Sequence, residues 1–88
     1  MAERAVEVAN EAGIHARPAA EIVKLAAKFK SELVIVRDDL EVNARSIMGV
    51  MMLAAECGAT IVIRAEGEDA DAAVAALADL IANRFGES

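Results

Sequence analysis

The apolar residues of this chain change period repeatedly within 88 positions, and each change marks a new element. So short a chain cannot fill two cores, and residues 1–88 read as a single domain. Val6 and Val8 alternate with charged or small neighbours across Arg4 to Val8, the pattern of a strand with one face inward. Asn10 to Gly13 reads as a loop. Ala19, Ile22, Val23, Ala26 and Phe29 then fall at helical spacing, with Lys24 and Lys28 outside. Pro18 suits the first turn of that helix, where a missing N–H costs nothing. The helix is expected from His15 or Ala16 to near Lys30.

Leu33-Val34-Ile35-Val36 is a β-branched run and reads as a strand. Asp38-Asp39 turns the chain into a returning strand, Leu40 to Asn43, without the Gly that tight hairpins favour. Ser46 is placed to N-cap a short helix holding Ile47, Met48, Val50, Met51 and Leu53, with Gly58 as its stop. Ile61-Val62-Ile63 forms a fourth strand within Ala59 to Glu66, and Gly67 breaks it. Glu68 or Asp69 caps a last helix whose stripe is Val74, Leu77, Ala78, Ile81 and Phe85. The order β-α-β-β-α-β-α implies one sheet with its helices layered on one face. Leu33, Ile35, Ile61 and Ile63 suit the helix side, which turns Val34, Val36 and Val62 outward. These valines read as β-propensity used for stability, and alternatively as a patch for self-association.

Hydrophobic residues make up 57% and charged residues 27%, the balance of a globular chain. A net charge of −6 and 2% aromatics supply neither the basic footprint nor the stacking platforms of a nucleic-acid binder. No apolar run approaches the length of a membrane span, so no membrane insertion is expected. Met1-Ala2-Glu3-Arg4 does not open a signal peptide. One cysteine, Cys57, cannot form an internal disulfide and reads as a small, buried or half-buried residue in a reducing, cytoplasmic setting. One His and one Cys cannot build a zinc site, and no cofactor is expected. The chain is too small to enclose a deep pocket, which favours a function presented at its surface.

The charge is uneven. Residues 1–50 hold 7 Lys/Arg against 8 Asp/Glu, whereas residues 51–88 hold 2 against 7. From His15 to Lys30, Arg17, Lys24, Lys28 and Lys30 face Glu21 alone, a net +3. The only histidine therefore stands in a cationic neighbourhood.

Two segments carry chemistry. Gly13-Ile14-His15-Ala16-Arg17-Pro18-Ala19 sets His15 just before a helix N-terminus. The first N–H groups there lack partners within the helix, and the dipole is positive, so the site favours phosphate. An imidazole nitrogen is a competent nucleophile, and Arg17 can clamp phosphoryl oxygens. On the residues alone, His15 reads equally as a phosphoryl acceptor and as a loop residue that caps its helix poorly. No second catalytic group is at hand, so His15 would carry a group rather than turn over a substrate. In the second segment, Arg45 to Leu53, Ser46 is an N-cap whose phosphorylation would change surface charge without unfolding the helix. Ile47, Met48 and Met51 are too many for one face of two turns, so some of them reach the surface, where Met is an adaptable contact residue.

These segments resemble the active-site and regulatory-serine motifs of HPr, the histidine-containing phosphocarrier family of the sugar phosphotransferase system, and length and element order agree from end to end. The resemblance implies an α+β fold: an open-faced β-sandwich of a four-stranded antiparallel sheet with three helices on one face. It implies that His15 accepts a phosphoryl group at Nδ1 from enzyme I and passes it to IIA domains of sugar permeases. Arg17 and the backbone of Ala16 and Arg17 would stabilise that phosphate. Ala20, Lys24, Ile47, Met48 and Met51 would form the partner surface. In the branch that carries the serine, an HPr kinase/phosphorylase modifies Ser46, and the product serves a catabolite control protein as corepressor. The protein is then a monomeric carrier and not an independent enzyme. The relative called Crh lacks the histidine, so His15 argues against that assignment. The alternative is a regulatory binding module with little role in transport; a small metabolic enzyme would need a pocket and a second catalytic group. The chain departs from the family pattern at Ala20, where a hydroxyl residue is common, at Asp38-Asp39, where Asn-Gly is common, and at Met52, which enlarges the apolar surface.

Overall fold

Strand alternation decides which side of the sheet is dry. The computed structural model describes residues 1–86, and in it β1 (Ala2–Glu7), β2 (Glu32–Arg37), β3 (Leu40–Asn43) and β4 (Thr60–Glu66) form one sheet in the order β1-β4-β2-β3. Every neighbouring pair is antiparallel. Ile35 pairs with Ile63 on one side and Val42 on the other, so one face collects Leu33, Ile35, Val42, Ile61 and Ile63, all buried. Helices α1 (Ala16–Ala26), α2 (Ile47–Met52) and α3 (Ala70–Ala82) supply Ile22, Val50, Leu77 and Ile81 to the same core. The fold is the expected α+β open-faced sandwich.

The other face holds Val34, Val36 and Val62, each half-buried. Beside them the Arg64 guanidinium meets Glu3 at 2.9 Å and Glu41 at 3.4 Å, tying both edge strands to the middle of the sheet. A charged clamp shares this face with the valines, which favours the β-propensity reading of them.

Several boundaries differ from the expectation. Helix α1 stops at Ala26, four residues early. Its last turn tightens through bonds from the Lys28 N–H to Leu25 and the Phe29 N–H to Ala26. Phe29 still packs on the core from the turn. The cause is tertiary: the chain must reverse into β2, and Ser31 is pinned at that reversal. Asp69 does the pinning. It stands at the N-cap position of α3, yet its side chain does not cap that helix. Its carboxylate accepts from the Lys30 N–H at 2.8 Å, the Ser31 N–H at 2.9 Å and the Ser31 hydroxyl. Gly67 makes the approach feasible, because a Cβ there would lie 2.6 Å from Ser31 Oγ. From the opposite side the Arg45 guanidinium donates to the Phe29 and Ser31 carbonyls.

Helix α2 ends before Gly58. Leu53 closes it and Ala54 takes the left-handed conformation, while the Gly58 N–H donates to the Val8 carbonyl at 2.8 Å on the way into β4. Phe85 is buried but is not part of α3; left-handed turns at Arg84 and Phe85 fold it back against the core. Cys57 is exposed, not buried, because it lies in the turn between Leu53 and β4. Asp38, with φ 54°, supplies the left-handed residue that the hairpin needs in place of glycine.

The hydrogen bond from the Ser31 hydroxyl, followed by that from the Lys30 N–H, holds the Asp69 carboxyl below the usual carboxylate range. A depressed folded-state pKa contributes stability above the unfolded value, near 3.9, that is lost as pH falls through the folded one. Asp69→Asn should therefore melt at a lower temperature than the unaltered protein at pH 7. The gap should narrow below about pH 4 in thermal scans followed by circular dichroism.

Candidate functional site

The loop between β1 and α1 is built on a floor made by the residues after α2. Asn10, fully buried, donates from Nδ2 to the Gly13 carbonyl at 2.6 Å, and the Gly13 N–H donates back to the Asn10 carbonyl at 3.0 Å. Gly13 then passes close to the chain at Ala55-Glu56: a Cβ at this position would lie 2.5 Å from the Ala55 carbonyl oxygen, and φ is +71°. The Ile14 N–H donates to that same carbonyl at 2.8 Å, and the Ile14 side chain is buried. A turn, a close approach and an anchor thus fix the chain one residue before the histidine.

His15 follows as the N-cap residue of α1, extended in backbone and exposed. Its carbonyl accepts the Ala19 N–H at 3.0 Å, which starts the helix, and its imidazole does not serve as the cap. Pro18 is buried in the first turn, as its missing N–H allows. Ala16 and Arg17 are exposed, and no acidic residue occupies this turn. Their N–H groups point out of the positive end of an 11-residue helix, where an anion is favoured. Further along α1, Ala20 is half-buried and Lys24 exposed. The groove between α1 and α3, lined by Lys24, Leu25, Lys28 and Leu80, does not include His15. The histidine is displayed at the surface.

Helix α2 packs against α1. Ser46, exposed, is its N-cap; Oγ accepts the Gly49 N–H at 3.0 Å. Val50 and Leu53 are buried, whereas Ile47 (42% exposed), Met48 (74%), Met51 (44%) and Met52 (64%) face outward. The expectation that the helix has more apolar residues than one face can hide is met. Among the described residues no group of three or more His, Cys, Asp and Glu converges as a metal site would require. No helix among them is long and apolar enough to cross a membrane.

Two contributors escaped the sequence reading. Asn10 reads only as part of the loop to Gly13, whereas its buried side chain closes that turn, a role its residue type signals locally. Arg37 gave no local signal, since it reads as the charged end of a strand. In the fold it meets Glu56 at 2.7 Å. The Glu56 carboxyl is held below its usual range by its own backbone N–H first, then by hydrogen bonding to Arg37 and the attraction of its charge.

An antiparallel open-faced sandwich that displays an exposed imidazole at the positive end of a helix has the form of a histidine phosphocarrier. Comparison with known proteins defines the group further. The family model described as the PTS HPr component phosphorylation site matches residues 2–83. The chain is 49% identical to the phosphocarrier protein HPr of Treponema pallidum over 99% of each sequence, and 46% identical to that of Cupriavidus necator over 99% of this chain and 98% of the relative. A crystal structure of HPr from Thermoanaerobacter tengcongensis superposes with a TM-score of 0.95 at 45% identity, covering 100% of this chain and 99% of that one. The chain belongs to the HPr family of phosphotransferase-system phosphocarriers.

Gly13→Ala should be among the most damaging small substitutions in this region. It forces a Cβ onto backbone atoms at a positive φ, and a loss of about 2 kcal/mol or more in urea unfolding is expected.

Proposed function

We propose that this chain carries a phosphoryl group on His15 between enzyme I and the IIA domains of sugar permeases. The observation that carries the reading is the exposed imidazole at the N-terminus of α1, beside Arg17 and free of acidic residues in the first turn. The Nδ1 lone pair of His15 attacks the phosphorus. The bond from phosphorus to the donor breaks, with its electron pair leaving to the donor. Charge on the transferred oxygens is met by the Arg17 guanidinium and by the N–H groups of Ala16 and Arg17. The reverse attack, by a nucleophile of the IIA domain, discharges the carrier. An open site suits this exchange, because each partner completes it from its own side. Ala20, Lys24, Ile47, Met48 and Met51 form the docking surface, cationic on α1 and apolar on α2.

Ser46 is proposed as the regulatory site of an HPr kinase/phosphorylase. Its hydroxyl is exposed at the start of α2, and a phosphate there would sit on a favourable helix end while placing negative charge beside Ile47 and Met48. The four outward apolar side chains of α2 also favour a second reading, a regulatory binding module that engages a catabolite control protein in its serine-phosphorylated form. Monomeric carriage in the cytoplasm is part of the proposal.

With enzyme I and phosphoenolpyruvate the protein should become labelled, and His15→Ala should not; equal labelling of both would reject the carrier reading. Transfer to a IIA domain separates it from the regulatory reading, which predicts none. With the kinase and ATP, Ser46→Ala should stay unlabelled. Raising ionic strength from about 0.05 M to 0.5 M should raise the KM for enzyme I, because docking uses the cationic face of α1.

A further inference from the structure

The turn after α2 contains a residue held in a conformation its side chain disfavours. Ala54 has φ 48°, a region that residues other than glycine enter at a cost. Arg37 grips this turn. Its Nη1 donates to the Ala54 carbonyl at 2.7 Å and the Leu53 carbonyl at 3.1 Å, and its Nη2 lies 2.7 Å from Glu56 Oε1. The carbonyls at the end of a helix lack donors within it, and a cation is favoured there. The Arg37 side chain is only 25% exposed, so this contact is partly shielded from water.

The other side of the same turn carries the phosphoacceptor loop. The Ala55 carbonyl receives the Ile14 N–H at 2.8 Å, and the Ala55-Glu56 backbone is what Gly13 passes against. Residues 54–56 are thus held by Arg37 on one side and hold Gly13-Ile14 on the other. His15 is the next residue.

We infer that Arg37 is a positioning residue for His15: by fixing the turn at Ala54–Glu56 it fixes, through the Ile14–Ala55 bond, the point from which α1 and its N-terminal imidazole start. Arg37 touches no reacting atom. The role needs a guanidinium, since one ammonium cannot serve two carbonyls and a carboxylate in the same fork. The inference rests on the carrier reading, because positioning of His15 matters only if His15 reacts.

The test compares Arg37→Ala and Arg37→Lys with the unaltered protein, each alone and combined with Ala54→Gly. Three quantities are read: hydrogen exchange at the Ile14 amide, the NMR signals of the His15 ring, and kcat and KM for acceptance from enzyme I. Arg37→Ala should speed Ile14 exchange about tenfold and shift the ring signals. It should lower kcat about threefold to tenfold at unchanged KM. Arg37→Lys should fall between. Ala54→Gly should recover at least about half of each loss, because glycine keeps the turn without being gripped. A lower Tm with Ile14 exchange, ring signals and kcat all unchanged would overturn the inference, as would a loss of kcat that Ala54→Gly leaves untouched. If Arg37→Ala does not fold, Arg37→Lys with and without Ala54→Gly decides the matter on the same readouts. If the unaltered protein accepts no label, the carrier reading fails; the Ile14 and ring measurements then uphold or overturn the placement of the loop by Arg37.

Discussion

Burial of Leu33, Ile35, Ile61 and Ile63 on a single side of the sheet constrains everything else in this molecule. A sheet with one dry face can take its helices only there, so α1 and α3 must lie over the same isoleucines. The strand order β1-β4-β2-β3 follows from connections that cross that layer. Each helix end is then delivered to a rim of the sheet. Loops at these rims do the remaining work, and each is fastened by polar contacts from elsewhere in the chain: Ala55 at the start of α1, where Asn10 adds a local bond, Asp69 and Arg45 at its end, Arg37 after α2.

The rims also account for what was and was not legible in the sequence. Interiors of elements were readable, because their signals are local. The Leu40–Asn43 strand, the Ser46 cap and the buried stripe of α3 from Val74 to Ile81 are where periodicity and capping rules place them. The end of α1 was not, because it is decided by a residue tens of positions away. The α1 terminus depends on Asp69, which looked like a cap for its own helix. Phe85 continued a helical period but is buried through a left-handed turn instead. Cys57 looked like core material by residue type, and a turn carries it outward.

The histidine segment was legible as a helix start that exposes its imidazole, and the fold adds the reason its geometry can be reproducible. An exposed side chain on a mobile loop would meet each partner at a different angle. Here the residue before His15 is buried and hydrogen-bonded, and the residue four after it closes the first turn on its carbonyl. The apolar surface of α2 is different in kind. Methionine is flexible, and Met48 and Met51 can adjust to partners of unlike shape. A rigidly mounted imidazole beside a flexible apolar surface is the combination that the proposed carriage between partners would use.

The pairing of β1 has a consequence for how the chain is made. β1 is an edge strand whose only neighbour is β4, so residues 2–7 find their partners at positions 60–65. The first strand leaves the ribosome early and has nothing to pair with until most of the chain has followed. The exposed charges at Glu3, Arg4 and Glu7 discourage the unpaired strand from joining another nascent chain in the interval. The four-stranded sheet can close only once β4 has been delivered, since β4 is the strand that joins β1 to β2.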